Sequence, residues 1–152
     1  MRIARARLDE DDVRALLVLH QRRMFEASPP GTSLALDLAG LETSDITIVA
    51  ARREDGSLLG VAALKELGGG AGEIKSMRTA DNALQSGVAK ALLDHLCATA
   101  RERGMTILLL ETGSGGEFAA AQRLYLAKGF QSPGPFASYS ESDFNQFYEV
   151  SL

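Results

Sequence analysis

The first half of the chain is a series of short apolar segments separated by turn residues. Apolar and basic positions alternate along RIARAR, residues 2–7, which predicts a half-buried strand. Asp9 and the acidic residues after it predict the start of a helix that ends near Arg23, and residues 34–41 predict a short second helix. Three further segments predict strands joined as antiparallel hairpins by the turns EDGS and GGGAG: 46–52, 57–67 and 73–79.

The second half changes to an alternation of helices and strands. After Gly87, apolar residues recur at four-residue spacing, so residues 87–103 are predicted to form an amphipathic helix that ends at Gly104. The continuously apolar MTILLL, residues 105–110, predicts a strand covered on both faces. One more helix and a final strand are predicted at 117–128 and 145–152. With antiparallel hairpins first and parallel crossovers after them, residues 1–152 are predicted to form a single α/β domain.

The composition is that of an ordinary globular protein, with 45% apolar and 24% charged residues. The net charge of −4 at pH 7 provides no basic surface for nucleic acid or an anionic membrane, so neither partner is expected. The N-terminal residues hold no apolar core of signal-peptide length, and no later run approaches membrane-spanning length. The single cysteine, Cys97, cannot form an internal disulfide and lies in an apolar helical stripe. We therefore expect a buried thiol and a cytoplasmic protein.

The polar loop RTADNALQS, residues 78–86, runs through Gly87 directly into the predicted helix. A glycine at this junction lets the backbone approach a bulky group, and the first amides of a helix have no internal partner. Together these features favour an anion site, most often one for phosphate. The alternative from these residues alone is a tight turn without a ligand.

Two motifs in this order resemble those of the GNAT superfamily of acyl-CoA N-acyltransferases. The first is LQSGVA, residues 84–89, and the second is a Leu-Tyr pair, Leu124 and Tyr125, on a helix that ends in Gly129 and Phe130. The resemblance implies an α/β (α+β) fold with a central mixed sheet, splayed parallel strands and flanking helices. The splayed strands are here expected at 73–79 and 105–111. Two positions depart from the family pattern, with Leu84 in place of Gln or Arg and Phe118 in place of Asn.

The resemblance also implies acetyl-CoA as cosubstrate and no metal. The pantetheine arm is expected to pair with Met77, Arg78 and Thr79, and the N–H of Met77 to stabilise the oxyanion that develops on the acyl carbonyl. The pyrophosphate is expected at the backbone amides of one short segment: Gln85, Ser86, Gly87, Val88, Ala89 and Lys90.

Acyl transfer to an amine needs a base for the amine proton and an acid for the departing thiolate. Tyr125 matches the acid of the family, the alternative being a tyrosine that only packs its helix onto the sheet. Glu73 is the predicted base, on a strand face expected to carry Lys75 and Met77 as well. Its alternative role is a surface ion pair with Lys75, and Glu111 is the second candidate carboxylate.

The sequence thus predicts an N-acetyltransferase that moves an acetyl group from acetyl-CoA to a primary amine of a small molecule or peptide by direct attack on the thioester. The alternatives are a non-catalytic CoA-binding sensor or interaction module and a nucleotide-binding regulator that uses the Gly-rich loops; no Walker lysine motif supports the latter. A homodimer is common in the family.

His20 and His95 have no metal-ligand spacing and are expected at the surface. Two segments are candidates for shaping the acceptor site: residues 22–25 and 132–144, the second with Phe136, Tyr139 and Asp143.

Overall fold

A mixed sheet of six strands organises the part of the chain that the computed structural model describes, residues 1–132 and 142–152. The strands lie in chain order across the sheet: β1 (Arg2–Ala6), β2 (Ile46–Arg52), β3 (Leu58–Gly68), β4 (Ala71–Thr79), β5 (Ile107–Thr112) and β6 (Gln146–Ser151). Four helices accompany them: α1 (Asp11–Ala27), α2 (Leu38–Leu41), α3 (Val88–Glu102) and α4 (Ala119–Lys128). The predicted mixed sheet with flanking helices is confirmed. Within the described residues, no helix has the length and apolarity needed to cross a membrane.

The boundaries of α1 differ from the prediction at both ends. Glu10, not Asp9, occupies the N-cap position, and the Asp9 carboxylate instead accepts a hydrogen bond from Arg7 Nε at 2.9 Å. The helix continues four residues past Arg23 and ends at Ala27. Its end has a clear steric cause, because Ser28 precedes a proline and is therefore held in an extended conformation.

Apolar residues pack on both faces of the sheet and form two core clusters. One joins α1 and α2 to the sheet and includes Val13, Leu17 and Val61; the other joins α3 and α4 to the opposite face and includes Leu92. Cys97 lies in the second cluster with 1% of its surface exposed, as predicted.

The parallel part of the sheet is short and is formed by β4 and β5 alone among the described strands. Residues 71–74 of β4 pair with residues 107–110 of β5, and both strands then continue without pairing to each other. The predicted separation of these two strands is confirmed. The expectation of several parallel crossovers is wrong, because β6 returns antiparallel to β5 and α3 makes the crossover between β4 and β5.

A bulge lies in β4 just beyond the point where β5 separates from it. Ala63 pairs with Lys75 and Val61 with Arg78, so two residues of β4 oppose one of β3. Ser76, in the bulge, has a φ of 52°, in the left-handed region. The extra residue reverses the alternation of faces: Lys75 and Arg78 both lie on the α1 side, whereas Met77 packs against the α3 side. The expectation that Glu73 and Met77 share a face is therefore wrong.

Candidate functional site

A cleft of about 570 Å³ opens where β4 and β5 separate. It extends from the end of α1 past both strands to the start of α3 and to one face of α4. Nearly all the predicted site residues line it: Glu73, Met77, Arg78, Thr79, Gln85, Gly87, Val88, Ala89, Lys90 and Tyr125. Ser86 is the exception. Its hydroxyl turns back to donate a hydrogen bond to the carbonyl of Ala83.

The loop before α3 presents backbone N–H groups at one end of this cleft. Gly87 is the N-cap of α3 with a φ of 85°, and Gln85 is also left-handed with a φ of 58°. Among the described residues, no hydrogen bond from the N–H groups of residues 85–90 is found, and the first helical bond is that from Ala91 N to the carbonyl of Gly87. A Cβ built on Gly87 meets nothing within 4 Å. The amides therefore border open space and can donate hydrogen bonds to a bound anion.

The free edge of β4 provides a second row of backbone groups. Ala80 N donates to the Leu59 carbonyl at 2.8 Å, so the peptide groups of Ala80 and Arg78 point toward β3. Because the N–H and C=O groups of successive strand residues point to opposite sides, those of Thr79 point toward the opening left by β5. An extended ligand can pair with this edge as a further strand would.

Glu73 and Lys75 form an ion pair at the α1 side of the cleft, with Lys75 Nζ 3.1 Å from Glu73 Oε2. Their side chains are 2% and 7% exposed, so the surface ion pair considered as an alternative for Glu73 is wrong in its location. Each member of this buried pair offsets part of the cost of removing the other from water.

Glu111 lies on β5, on the same side of the sheet as Glu73. Burial, its largest influence, raises the pKa of Glu111 above the usual range for a carboxyl group, while the hydrogen bond from Asn145 acts in the opposite direction. Asn145 Nδ2 donates to Glu111 Oε2 at 3.0 Å and to the Thr32 carbonyl at 2.9 Å. Asn145 therefore connects Glu111 to the loop after α1. Sequence reasoning missed Asn145, since its partners are remote in the chain and belong to no motif.

Tyr125 extends from α4 into the opposite wall of the cleft and is 7% exposed. Its ring contacts Phe130 and Tyr148 at centroid distances of 5.7 and 6.5 Å. Burial, reinforced by the negative charge of Glu111, raises the pKa of Tyr125. The phenol is therefore protonated at neutral pH and can donate a proton.

His20 is a buried residue of α1 at the cleft, which corrects the expectation of a surface histidine. Its Nδ1 accepts a hydrogen bond from Arg78 Nε at 3.1 Å. Burial, followed by repulsion from Arg78, lowers the pKa of His20 to about 3, so the ring is neutral. One helical turn further, Arg23 forms a bidentate pair with Asp81 at 2.7 and 2.8 Å.

The segments proposed to shape the acceptor site contribute in part. Met24 lines the cleft, but Phe25 on the same segment is 69% exposed and does not line it. Phe136 and Tyr139 lie outside the described residues, and the carbonyl of Asp143 accepts a bond from Ser114 Oγ at 3.4 Å. Within residues 1–132 and 142–152, no group of three His, Cys, Asp or Glu side chains is arranged to hold a metal ion.

Comparison with known proteins agrees with this geometry. The model of the acetyltransferase (GNAT) family matches residues 11–130. The uncharacterised N-acetyltransferase YedL of Escherichia coli is 40% identical over 140 residues, which cover 92% of this chain and 87% of YedL. The uncharacterised N-acetyltransferase YsnE of Bacillus subtilis is 44% identical over 133 residues, covering 88% of this chain and 87% of YsnE.

Solved structures give the same answer for the fold. A protein of Klebsiella pneumoniae assigned as an acyl-CoA N-acyltransferase superposes with a TM-score of 0.83 at 26% identity, covering 99% of this chain and 97% of that one. An aminoglycoside 6'-N-acetyltransferase complexed with coenzyme A superposes with a TM-score of 0.75 at 14% identity and the same coverage. The chain belongs to the GNAT family of acetyltransferases. It is an acyl-CoA N-acyltransferase.

Proposed function

We propose that the enzyme transfers the acetyl group of acetyl-CoA to a primary amine of a small molecule or peptide. One observation carries the proposal: a single cleft joins the unpaired amides of residues 85–90 to the edge of β4 at Met77 and Thr79, beyond the end of its pairing with β5. This row of donors suits a ligand with an anionic end and an extended amide-containing arm. The acidic net charge and the buried thiol of Cys97 are in keeping with a cytoplasmic location, which belongs to the proposal.

The residues present fit this cosubstrate through their backbone more than through their side chains. Leu84, where the family usually has Gln or Arg, is 58% exposed at the cleft and offers no hydrogen bond. Lys90 Nζ is 2.8 Å from Asp94, so its charge is already partly neutralised. The backbone amides of residues 85–90 therefore hold the pyrophosphate in this proposal, and the N–H of Met77 faces the acyl oxygen. The thioester supplies an activated acyl group and a thiolate leaving group.

The chain supplies the two proton-transfer groups from opposite walls of the cleft. Tyr125, protonated because burial raises its pKa, donates a proton to the thiolate. Glu73 is our proposed base, and Lys75 Nζ lies 3.1 Å from its Oε2. Glu111 is the competing carboxylate, since burial raises its pKa and brings it closer to neutral pH. Glu73→Gln and Glu111→Gln, each compared by its pH–rate profile, distinguish the two because only loss of the true base removes the ascending limb.

The first experiment is calorimetric titration of the purified protein with acetyl-CoA, with ATP as the control ligand. Saturable binding of acetyl-CoA alone supports the site, whereas equal binding of ATP supports a nucleotide-binding regulator. Turnover is then measured by thiol release with a panel of amines. Saturable binding without turnover on any amine supports the non-catalytic module.

The Tyr125→Phe variant tests the acid. It removes the phenolic proton and keeps the ring, so kcat is expected to fall by about 100-fold while acetyl-CoA affinity stays nearly unchanged. Tyr148→Phe is the matched control, because Tyr148 lies in the same aromatic cluster and is not part of the cleft wall. An unchanged kcat in Tyr125→Phe at saturating substrates rules out the acid role.

Light scattering of the same samples measures the homodimer that the family resemblance implies.

A further inference from the structure

Arg78 has its side chain on the α1 side of β4, where it lines the cleft. The β4 bulge places it there, on the same side as Lys75 and apart from Met77. Its guanidinium Nε donates to His20 Nδ1 at 3.1 Å. Because His20 is neutral, it accepts this bond without adding a negative charge. The contact fixes the guanidinium but does not neutralise it.

The other partly buried arginines of the described chain are neutralised by carboxylates. Arg23 has Asp81 at 2.7 Å, and Arg52 has Asp12 at 2.6 Å and Glu10 at 3.1 Å. Arg78 is the third arginine of this class, and no carboxylate of residues 1–132 and 142–152 forms an ion pair with it.

A guanidinium in this position is destabilised. Burial, followed by repulsion from Arg23, lowers the pKa of Arg78, while attraction to Asp81 acts in the opposite direction. Taking a cation out of water without a direct ion pair costs free energy that an anionic ligand can restore. The two terminal nitrogens are not engaged by His20, and they form the planar pair of donors that matches a carboxylate.

The opposite charge lies further along the same wall of the cleft. Glu111 lines it beside the Glu73–Lys75 ion pair, and a protonated amine is attracted to the Glu111 carboxylate before it loses its proton. Glu73 and Arg78 are five positions apart on β4, at most about 17 Å between their Cα atoms at the usual rise per residue. The two side chains extend into this interval, which a single amino acid or a short peptide can therefore bridge.

We propose that Arg78 binds a carboxylate of the amine acceptor, so that the enzyme acetylates amino carboxylates such as amino acids or short peptides with a free C-terminus. The proposal rests on the proposed function, since it specifies the acceptor of the same acetyl transfer. In this arrangement the acceptor lies with its amine toward the carboxylates and its carboxylate on Arg78, and His20 orients the guanidinium.

The experiment compares matched acceptors that differ only in the carboxylate. Thiol release from acetyl-CoA is measured with the common amino acids and a set of dipeptides, each beside its C-terminal carboxamide. For the best acceptor, kcat/KM is expected to exceed that of its carboxamide by about 10- to 100-fold, the effect of one charge-assisted bidentate contact. In Arg78→Gln this ratio is expected to fall to about 1, and Arg78→Lys, which keeps the charge without the planar pair of donors, to retain part of it.

The control variant is Arg53→Gln, which removes one positive charge from an exposed position outside the cleft wall. It is expected to keep the full ratio. Circular dichroism of each variant verifies that it is folded. Acetyl-CoA titration of the wild-type protein separates the two proposals, because failure to bind acetyl-CoA refutes the proposed function itself.

Three results overturn the carboxylate proposal while leaving acetyl transfer intact. The first is that acetyl-CoA binds but no amino carboxylate is acetylated. The second is that acids and carboxamides are acetylated equally by the wild-type protein. The third is that Arg78→Gln weakens acetyl-CoA binding and lowers both rates in proportion, which assigns Arg78 to a phosphate of the cosubstrate.

Discussion

The neutral His20 makes the stability of the fold depend on pH in a window where few other groups titrate. Its pKa is lowered to about 3 by burial and by Arg78, whereas an exposed histidine has a pKa of about 6.5. Between these values the unfolded chain binds a proton that the folded chain excludes, so the free energy of unfolding decreases as the pH falls below about 6.5. From about pH 7.5 to about pH 5 the expected loss from this residue is about 2 kcal/mol.

Urea unfolding of the wild-type protein and of His20→Gln across this pH range measures the effect. Glutamine can still accept the hydrogen bond from Arg78 but does not titrate. The variant is therefore expected to be less stable near pH 7.5 and to lack the decline of about 2 kcal/mol. His95→Gln is the matched control, since it removes the other histidine and is expected to keep the decline. If His20→Gln loses as much stability as the wild-type protein on acidification, His20 is not neutral in the folded state and the reasoning is wrong.

Three further substitutions test the local geometry. In Gly60→Ala the added Cβ meets Val88 Cγ1 at 2.9 Å, so thermal unfolding is expected to show a loss of about 1–3 kcal/mol as α3 shifts from the sheet. Ser76→Gly relieves the left-handed φ of 52° and removes a buried hydroxyl that has no partner among the described residues. Urea unfolding is therefore expected to show a free energy of unfolding higher by about 1 kcal/mol, and a lower value would show that Ser76 is not strained. Asn145→Ala leaves a carboxyl oxygen of Glu111 without its hydrogen-bond donor, so the free energy of unfolding is expected to fall by about 1–3 kcal/mol. An unchanged value means that water replaces the amide.

Local patterns were sufficient to predict much of the fold. The four-residue apolar repeat after Gly87 and the uninterrupted apolar run at residues 107–110 each reflect how their own segment is buried, and the structure has α3 and β5 there. The LQSGVA and Leu-Tyr motifs are also local, and they led to the opening between β4 and β5 because the family shares it. Signals of this kind depend on residues close together in the chain.

The details that local patterns missed arise from contacts between distant segments. A period-two argument assigns Met77 to the face of Glu73, and only the pairing of β3 with β4 shows that the bulge at Ser76 reverses this assignment. His20 is buried because α1 packs against β4, where Arg78 lies 58 positions away in sequence. Asn145 meets Thr32 across 113 positions. No composition or spacing within one element carries that information.

The short parallel pairing of β4 with β5 has a consequence for how ligand binding and stability are linked. Strands β1–β4 and strands β5–β6 are two consecutive blocks of the chain, joined in the sheet by the pairing of residues 71–74 with 107–110. The apolar stripe of α3 shares one core cluster with both blocks, and the N-terminus of the same helix faces the cleft. A ligand bound at that N-terminus is therefore expected to stabilise the packing of α3 against both blocks. A ligand that binds only the folded protein raises the free energy of unfolding by about 2.7 kcal/mol at about one hundred times its Kd. The melting temperature of the whole protein is therefore expected to rise with the ligand concentration.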